Sequence, residues 1–233
     1  MAPAVHLRSA LAFLGPFPVL AGVDLDVAQG EVVLLQGANG AGKTSLLRAC
    51  AGLLPFSDGE AVVLGHDLRI ERKAVRRHIG LLGHASFLYD DLTVVDNVNF
   101  AVRASGASAS EVDPALRRLG LDGRLRDVPV ARLSAGQRRR VALAVLAARR
   151  PMLWLLDEPH AGLDAEHRDL VDALIAETVA NGGTVLFASH ERDRAAGIAR
   201  RVVTVAGGQV LPSDSGTSTP YPPPSFTEAG QVA

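Results

Sequence analysis

Short, nearly unbroken apolar runs alternate with longer stretches of helical periodicity along most of this chain. Glu31–Gln36, Ile79–Gly83, Met152–Leu156, Thr184–Ala188 and Val202–Val205 are such runs. Strands with so little alternation must be covered on both faces, as in a parallel sheet flanked by helices. Helical patterns come after two of them. Lys43–Leu53 succeeds the first run, and Asp164–Ala180 carries Leu170, Val171, Leu174, Ile175 and Val179 on one stripe, with Asp164 placed as its N-cap. Val202–Leu211, with Gly207-Gly208 in its middle, predicts a terminal hairpin. From Leu92 to Ala131 the strand runs disappear, and Val94–Ala104 and Val112–Leu119 read as helices of an insert between sheet strands. The whole pattern predicts an α/β fold with a largely parallel sheet.

Composition narrows the field. The chain has 233 residues, 48% of them hydrophobic, and a formal net charge of −1. That is enough for one sizeable core, or a main domain with a smaller satellite, and the charge balance argues against binding nucleic acid or anionic membrane through bulk charge. No run approaches the ~20 apolar residues of a membrane helix. Arg8 ahead of the apolar Ala10–Ala21 mimics a secretory signal, but Gly15, Pro16 and Pro18 interrupt it, and a cytoplasmic chain is expected. The lone Cys50 excludes a disulfide framework and a cysteine zinc site. Pro212–Ala233, rich in Pro, Ser, Thr and Gly, is expected to be a disordered tail, so the folded body should end near Leu211. Lys43 and Lys73 are the only lysines; all other basic residues are arginine.

Gly37-Ala38-Asn39-Gly40-Ala41-Gly42-Lys43-Thr44 matches the P-loop pattern G-x-x-x-x-G-K-[ST], preceded by a predicted strand and succeeded by a predicted helix. Its glycines let consecutive backbone N–H groups point at phosphate oxygens, and the helix N-terminus favours the anion. Lys43 supplies a mobile point charge for the β- and γ-phosphates, where a planar guanidinium would be the wrong shape. Thr44 offers a hydroxyl to Mg²⁺. Met152–Leu156 ends in Asp157 and Glu158, a commonplace arrangement alone. Beside a P-loop, Asp157 can hold Mg²⁺ and Glu158 can polarise an attacking water. Leu133-Ser134-Ala135-Gly136-Gln137 precedes a long helix, with Ser134 and Gln137 spaced as a capping box, and such a helix start can also receive phosphate.

Taken in order, the P-loop, Leu133–Gln137, Asp157-Glu158-Pro159, Ala161-Gly162-Leu163-Asp164 and His190 resemble the ATP-binding cassette ATPases over nearly all of residues 5–211. The resemblance implies a P-loop NTPase (RecA-like) core, a small antiparallel β part near the N-terminus, and a helical subdomain inserted at about 85–145, together forming one ATPase domain over 1–211. It implies ATP and Mg²⁺ as cofactors. The nucleotide would lie between Gly37–Ser45 of one copy and Ser134–Gln137 of another, in a head-to-tail homodimer or cassette–cassette dimer, with Asp164 in the same site. Glu158 and His190 would be catalytic, His190 touching the γ-phosphate, and Thr44, Asp157 and His84 would hold the metal. An aromatic stacking on adenine is expected at Phe13 or Phe17, which flank the place.

Gly83-His84 ahead of Leu92-Thr93, Ala135 in the signature, Leu153–Pro159 and Ala180–Val185 resemble the haem-exporter branch, which serves cytochrome c maturation. His84 stands where most cassettes have a glutamine, and Ala85 comes next where that branch generally has one. This branch implies an integral membrane permease as partner, the cytoplasmic face of the inner membrane as location, and only indirect dealings with haem. An exporter of drugs, lipids or polysaccharide and a soluble non-transport cassette are the alternatives. Neither lysine comes after an asparagine, which disfavours guanine recognition, and residues 45–151 lack the long heptads of a chromosome-maintenance cassette. Arg138–Arg140 is read as a solvated helix face rather than a nucleic-acid patch.

Overall fold

In the computed structural model, which describes residues 2–211, the first strands form a long hairpin. β1 (Val5–Leu14) and β2 (Phe17–Val27) pair antiparallel about Gly15-Pro16, so the apolar stretch that mimics a signal is sheet. β3 (Val32–Gln36) leads into α1 (Lys43–Cys50); β4 (Phe56–Val63) and β5 (His66–Asp67) then complete a four-stranded antiparallel sheet ordered β2-β1-β4-β5. After β6 (Ile79–Leu82) come the helices of the insert, α2 (Val94–Ser105) and α3 (Val112–Arg118), and then the long α4 (Ala135–Arg149). β7 (Leu153–Asp157), α5 (Ala165–Ala180), β8 (Thr184–Ala188), α6 (Arg192–Ile198), β9 (Arg201–Ala206) and β10 (Gln209–Val210) finish the described chain. The tail expected over Pro212–Ala233 lies outside the described residues.

The second sheet is ordered β10-β9-β3-β8-β7-β6, parallel throughout except for the β9–β10 hairpin predicted at Gly207-Gly208. Its strands are apolar at consecutive positions because each face has a different cover. Val33, Leu35, Leu153 and Leu155 pack towards α1 and the antiparallel sheet, while Leu34, Trp154, Leu156 and Phe187 pack towards α2–α5. The α5 stripe is inward as predicted, with Val171, Leu174 and Ile175 buried and Asp164 accepting from the His167 N–H at 3.0 Å as N-cap.

Two expectations need correction. α1 stops at Cys50, short of Leu53, because Gly52 takes a left-handed φ of 68° and a side chain there would overlap the Arg72 carbonyl. Arg138–Arg140 is not a solvated face. All three are half-buried: Arg138 pairs with Asp90 at 2.6 Å, Arg140 donates to the Leu119 carbonyl at 2.9 Å, and Arg139 turns inward to the ends of β6 and β7. The first turns of α4 run past the Gly83, Leu119 and Asp157 carbonyls, and arginine is long enough to donate to them.

The loop between β6 and α2 is pinned by one buried amide. Asn97 accepts from the Tyr89 N–H at 2.8 Å and faces the Tyr89 and Thr93 carbonyls at 3.0 Å. Asn97→Ala strands those groups and should lower stability by about 1–3 kcal/mol, read by urea denaturation.

Candidate nucleotide-binding cleft

Parallel pairing sets the site. In register, Leu35 of β3 and Asp157 of β7 both lie level with Ala188 of β8. The three strands therefore end together, and their outgoing segments meet at a single edge: the P-loop after β3, Glu158 after β7, and Ser189-His190 after β8. Ligands of open α/β sheets bind at such carboxyl ends.

The loop after β3 is shaped by its glycines. Gly37 (φ 149°) passes so close to the Val205 carbonyl that a Cβ would overlap it, and Gly42 (φ 111°) would place one 3.0 Å from the Val19 carbonyl. Lys43 is 8% exposed and donates to the Gly37 and Ala38 carbonyls at 2.7 and 2.9 Å, so the ammonium rests inside the loop's own curl. The next residue faces β7. Thr44 Oγ1 donates to Asp157 Oδ2 at 2.7 Å.

Glu158 takes a left-handed backbone, φ 51°, unusual for a residue with a side chain. Its N–H donates to the Ala188 carbonyl at 2.9 Å. Its carboxylate accepts from the His190 N–H at 3.0 Å, and the imidazole Nε2 lies 3.4 Å from the other oxygen. Asn39–Ser45, His84, Asp157, Glu158 and His190 all line one cleft of about 750 Å³ with Pro18, Val19 and Gly207-Gly208.

Other predicted site residues lie elsewhere. Ser134 and Ala135 are exposed, outside that cleft, and Ser134 and Gln137 complete a reciprocal capping box at the start of α4. Gly136 abuts the turn before α5, where a Cβ would sit 2.9 Å from the Gly162 carbonyl. Asp164 is committed to capping; hydrogen bonds from the His167 backbone and ring hold its carboxyl below the usual range. Phe13 and Phe17 are exposed, and Pro18 and Val19, not either phenylalanine, face the cleft. Periodicity misses Arg139, which also lines the cleft; desolvation lowers its pKa, and the nearby Asp157 and Glu158 charges oppose that shift.

A family model described as "ABC transporter" matches residues 20–161, more than half of the chain. The chain belongs to that family. The cassette is accordingly an ATPase and binds ATP. It is 39% identical over 195 residues to the cytochrome c biogenesis ATP-binding export protein CcmA 2 of Cupriavidus metallidurans, covering 83% of this chain and 92% of that one. It is 38% identical over 216 residues to the human phospholipid-transporting ATPase ABCA7, covering 90% of this chain but 10% of that one. In structure it resembles the ATP-binding cassette MJ0796 in a dimeric post-hydrolysis state bound to ADP and Pi, with a TM-score of 0.81, 25% identity and coverage of 88% and 96% of the two chains. The P-loop NTPase fold is thereby shown.

Lys43→Ala and Lys43→Arg should both weaken ATP binding by about 10- to 100-fold, as expected for a lost hydrogen-bonded charge. Equilibrium titration with a fluorescent ATP analogue measures this, and the arginine variant should fail because its fork does not fit the curl.

Proposed function

We propose that this cassette is the ATP-hydrolysing subunit of an exporter of the haem type acting in cytochrome c maturation. The observation that carries the proposal is coverage: the likeness to the C. metallidurans CcmA 2 protein spans 92% of that relative and 83% of this chain, so it reaches well beyond a shared nucleotide motif. A lipid exporter is the second reading, favoured by the match to human ABCA7 over 90% of this chain.

The donor set fits Mg²⁺. Thr44 Oγ1 and Asp157 Oδ2, already 2.7 Å apart, are the hard oxygens such a cation takes, and His84 lines the same cleft. When bound, the ion would neutralise charge developing on the phosphate oxygens. Lys43 would leave the Gly37 and Ala38 carbonyls for the β- and γ-phosphates, with the Gly37–Ser45 amides around them. Glu158 then accepts the proton of the attacking water, and His190, held against that carboxylate, contacts the γ-phosphate. Ser134–Gln137, whose first two residues are exposed at the start of α4, would close the nucleotide from a second cassette, homodimeric or not.

A membrane permease is the expected partner. An apolar groove of about 300 Å³ opens beside the loop that comes after His84, lined by Leu53, Phe87, Tyr89, Phe100 and Val145. Phe87 and Tyr89 are exposed there, as an anchor site for another protein's side chains requires. Among the described residues no helix is long and apolar enough to cross a membrane, and a peripheral position on the cytoplasmic face of the inner membrane accords with that.

Glu158→Gln should keep ATP affinity, lower turnover by about 10²–10⁴-fold and trap a dimer visible by size-exclusion chromatography; parental turnover would refute the base assignment. Deleting the gene and staining for covalently bound haem tests the transport role. Loss of c-type cytochromes is the expected result, and normal levels would favour the lipid reading.

A further inference from the structure

Arg139 has a setting that stability alone does not explain. Its guanidinium donates to the Gly83 carbonyl at 2.7 Å, the Asp157 carbonyl at 2.7 Å and the Glu158 carbonyl. These acceptors close the ends of two neighbouring strands, β6 and β7. Its partners are carbonyls rather than carboxylates, and its Nε is buried with no hydrogen-bond partner. A half-buried charge satisfied this incompletely is costly; the Arg149 Nε on the same helix shares that cost, so what distinguishes Arg139 is where its fork lands.

The backbone held by the fork is more telling. Glu158 sits in the left-handed region that only over-determined side-chain-bearing residues keep. Its N–H donates to the Ala188 carbonyl, its carboxylate accepts from the His190 N–H, and its carbonyl accepts from both the Ala161 N–H, at 3.1 Å in the turn after β7, and Arg139. Only the last comes from outside β7, β8 and the residues directly after them, from the helix that begins at Ser134.

We propose that Arg139 is a positioning residue for ATP hydrolysis: its planar fork fixes the Glu158 backbone that aims the carboxylate into the cleft, and ties that backbone to Gly83, the residue before His84. The proposal rests on Glu158 being the base. Movement of α4, or of the loop that Gly83 opens beside the apolar groove, thus reaches the base without passing through the nucleotide. A lysine cannot reproduce this, because a single ammonium does not span three carbonyls in a fixed plane.

The test compares steady-state kinetics and ATP affinity of Arg139→Gln, Arg139→Ala and Arg139→Lys in the full chain. All three should lower kcat by about 10- to 100-fold, the scale of a small misplacement of a reacting group, with KM and ATP affinity held within about threefold. Arg149→Ala is the control. Arg149 lies on the same helix, is likewise desolvated, and donates to the Ile79 carbonyl at 3.1 Å, at the opposite end of β6. It should lose comparable thermal stability and keep the parental kcat.

Equal kcat losses in the Arg139 and Arg149 variants, or raised KM with parental kcat, would overturn the proposal. If Arg139→Ala does not fold, Arg139→Lys, which keeps charge and bulk, decides by the same comparison. Glu158→Gln separates the two ideas. Parental turnover in that variant removes the base and the Arg139 role with it, whereas an inactive Glu158→Gln beside a fully active Arg139→Gln defeats the Arg139 role alone.

Discussion

The alignment of β3, β7 and β8 is the constraint on which the rest of the cleft depends. Leu35, Ala188 and Asp157 are level across the three strands, so the residues that come next emerge at the same height. A slip of one residue in either pairing would exchange the inward and outward faces of a strand. It would move Leu34 from the helical layer to the α1 layer and turn Asp157 away from Thr44. Packing on two faces is therefore what guards the chemistry. Neither core could accept the slipped register, since both sides of the sheet are filled by apolar groups, Trp154 and Phe187 among them.

The antiparallel sheet supports this edge from another direction. Val19 of β2 stands against Gly42 and Gly208, and the Ala21 N–H donates to the Gly208 carbonyl at 2.8 Å. Gly208 in turn donates to the Ala41 carbonyl at 2.9 Å. The P-loop is thus held between a strand of one sheet and the hairpin turn of the other. Glycine at 42 and 208 lets the backbones approach that closely.

How much of this is legible in the sequence depends on whether a residue's partner is near it in the chain. Buried strands reveal themselves because two-sided cover demands unbroken apolar runs, and the run Thr184–Ala188 coincides with β8 to the residue. The P-loop is equally local. β1 is not readable from its pattern, because a bulge breaks its alternation: Ser9 takes φ 45° and its N–H is received by Asp24 of β2. Family resemblance alone points to the small β part. Arg139 is hidden for a related reason. Three arginines in a row on a helix read as solvated, and nothing in the sequence says that the carbonyls of two strand ends lie beside the middle one. Asn97 gives no signal either, being one polar residue in an amphipathic helix whose partners belong to the preceding loop.

Lys43 rests on the Gly37 and Ala38 carbonyls. The loop is therefore not burdened with a bare buried ammonium, because two carbonyls of its own curl satisfy the charge. In the proposed role, phosphates would exchange one set of partners for another, so affinity would reflect a difference between two satisfied states. The return path is correspondingly easy. After phosphate release the ammonium would have the Gly37 and Ala38 carbonyls to return to. A contact that slightly weakens the grip on substrate thereby favours throughput.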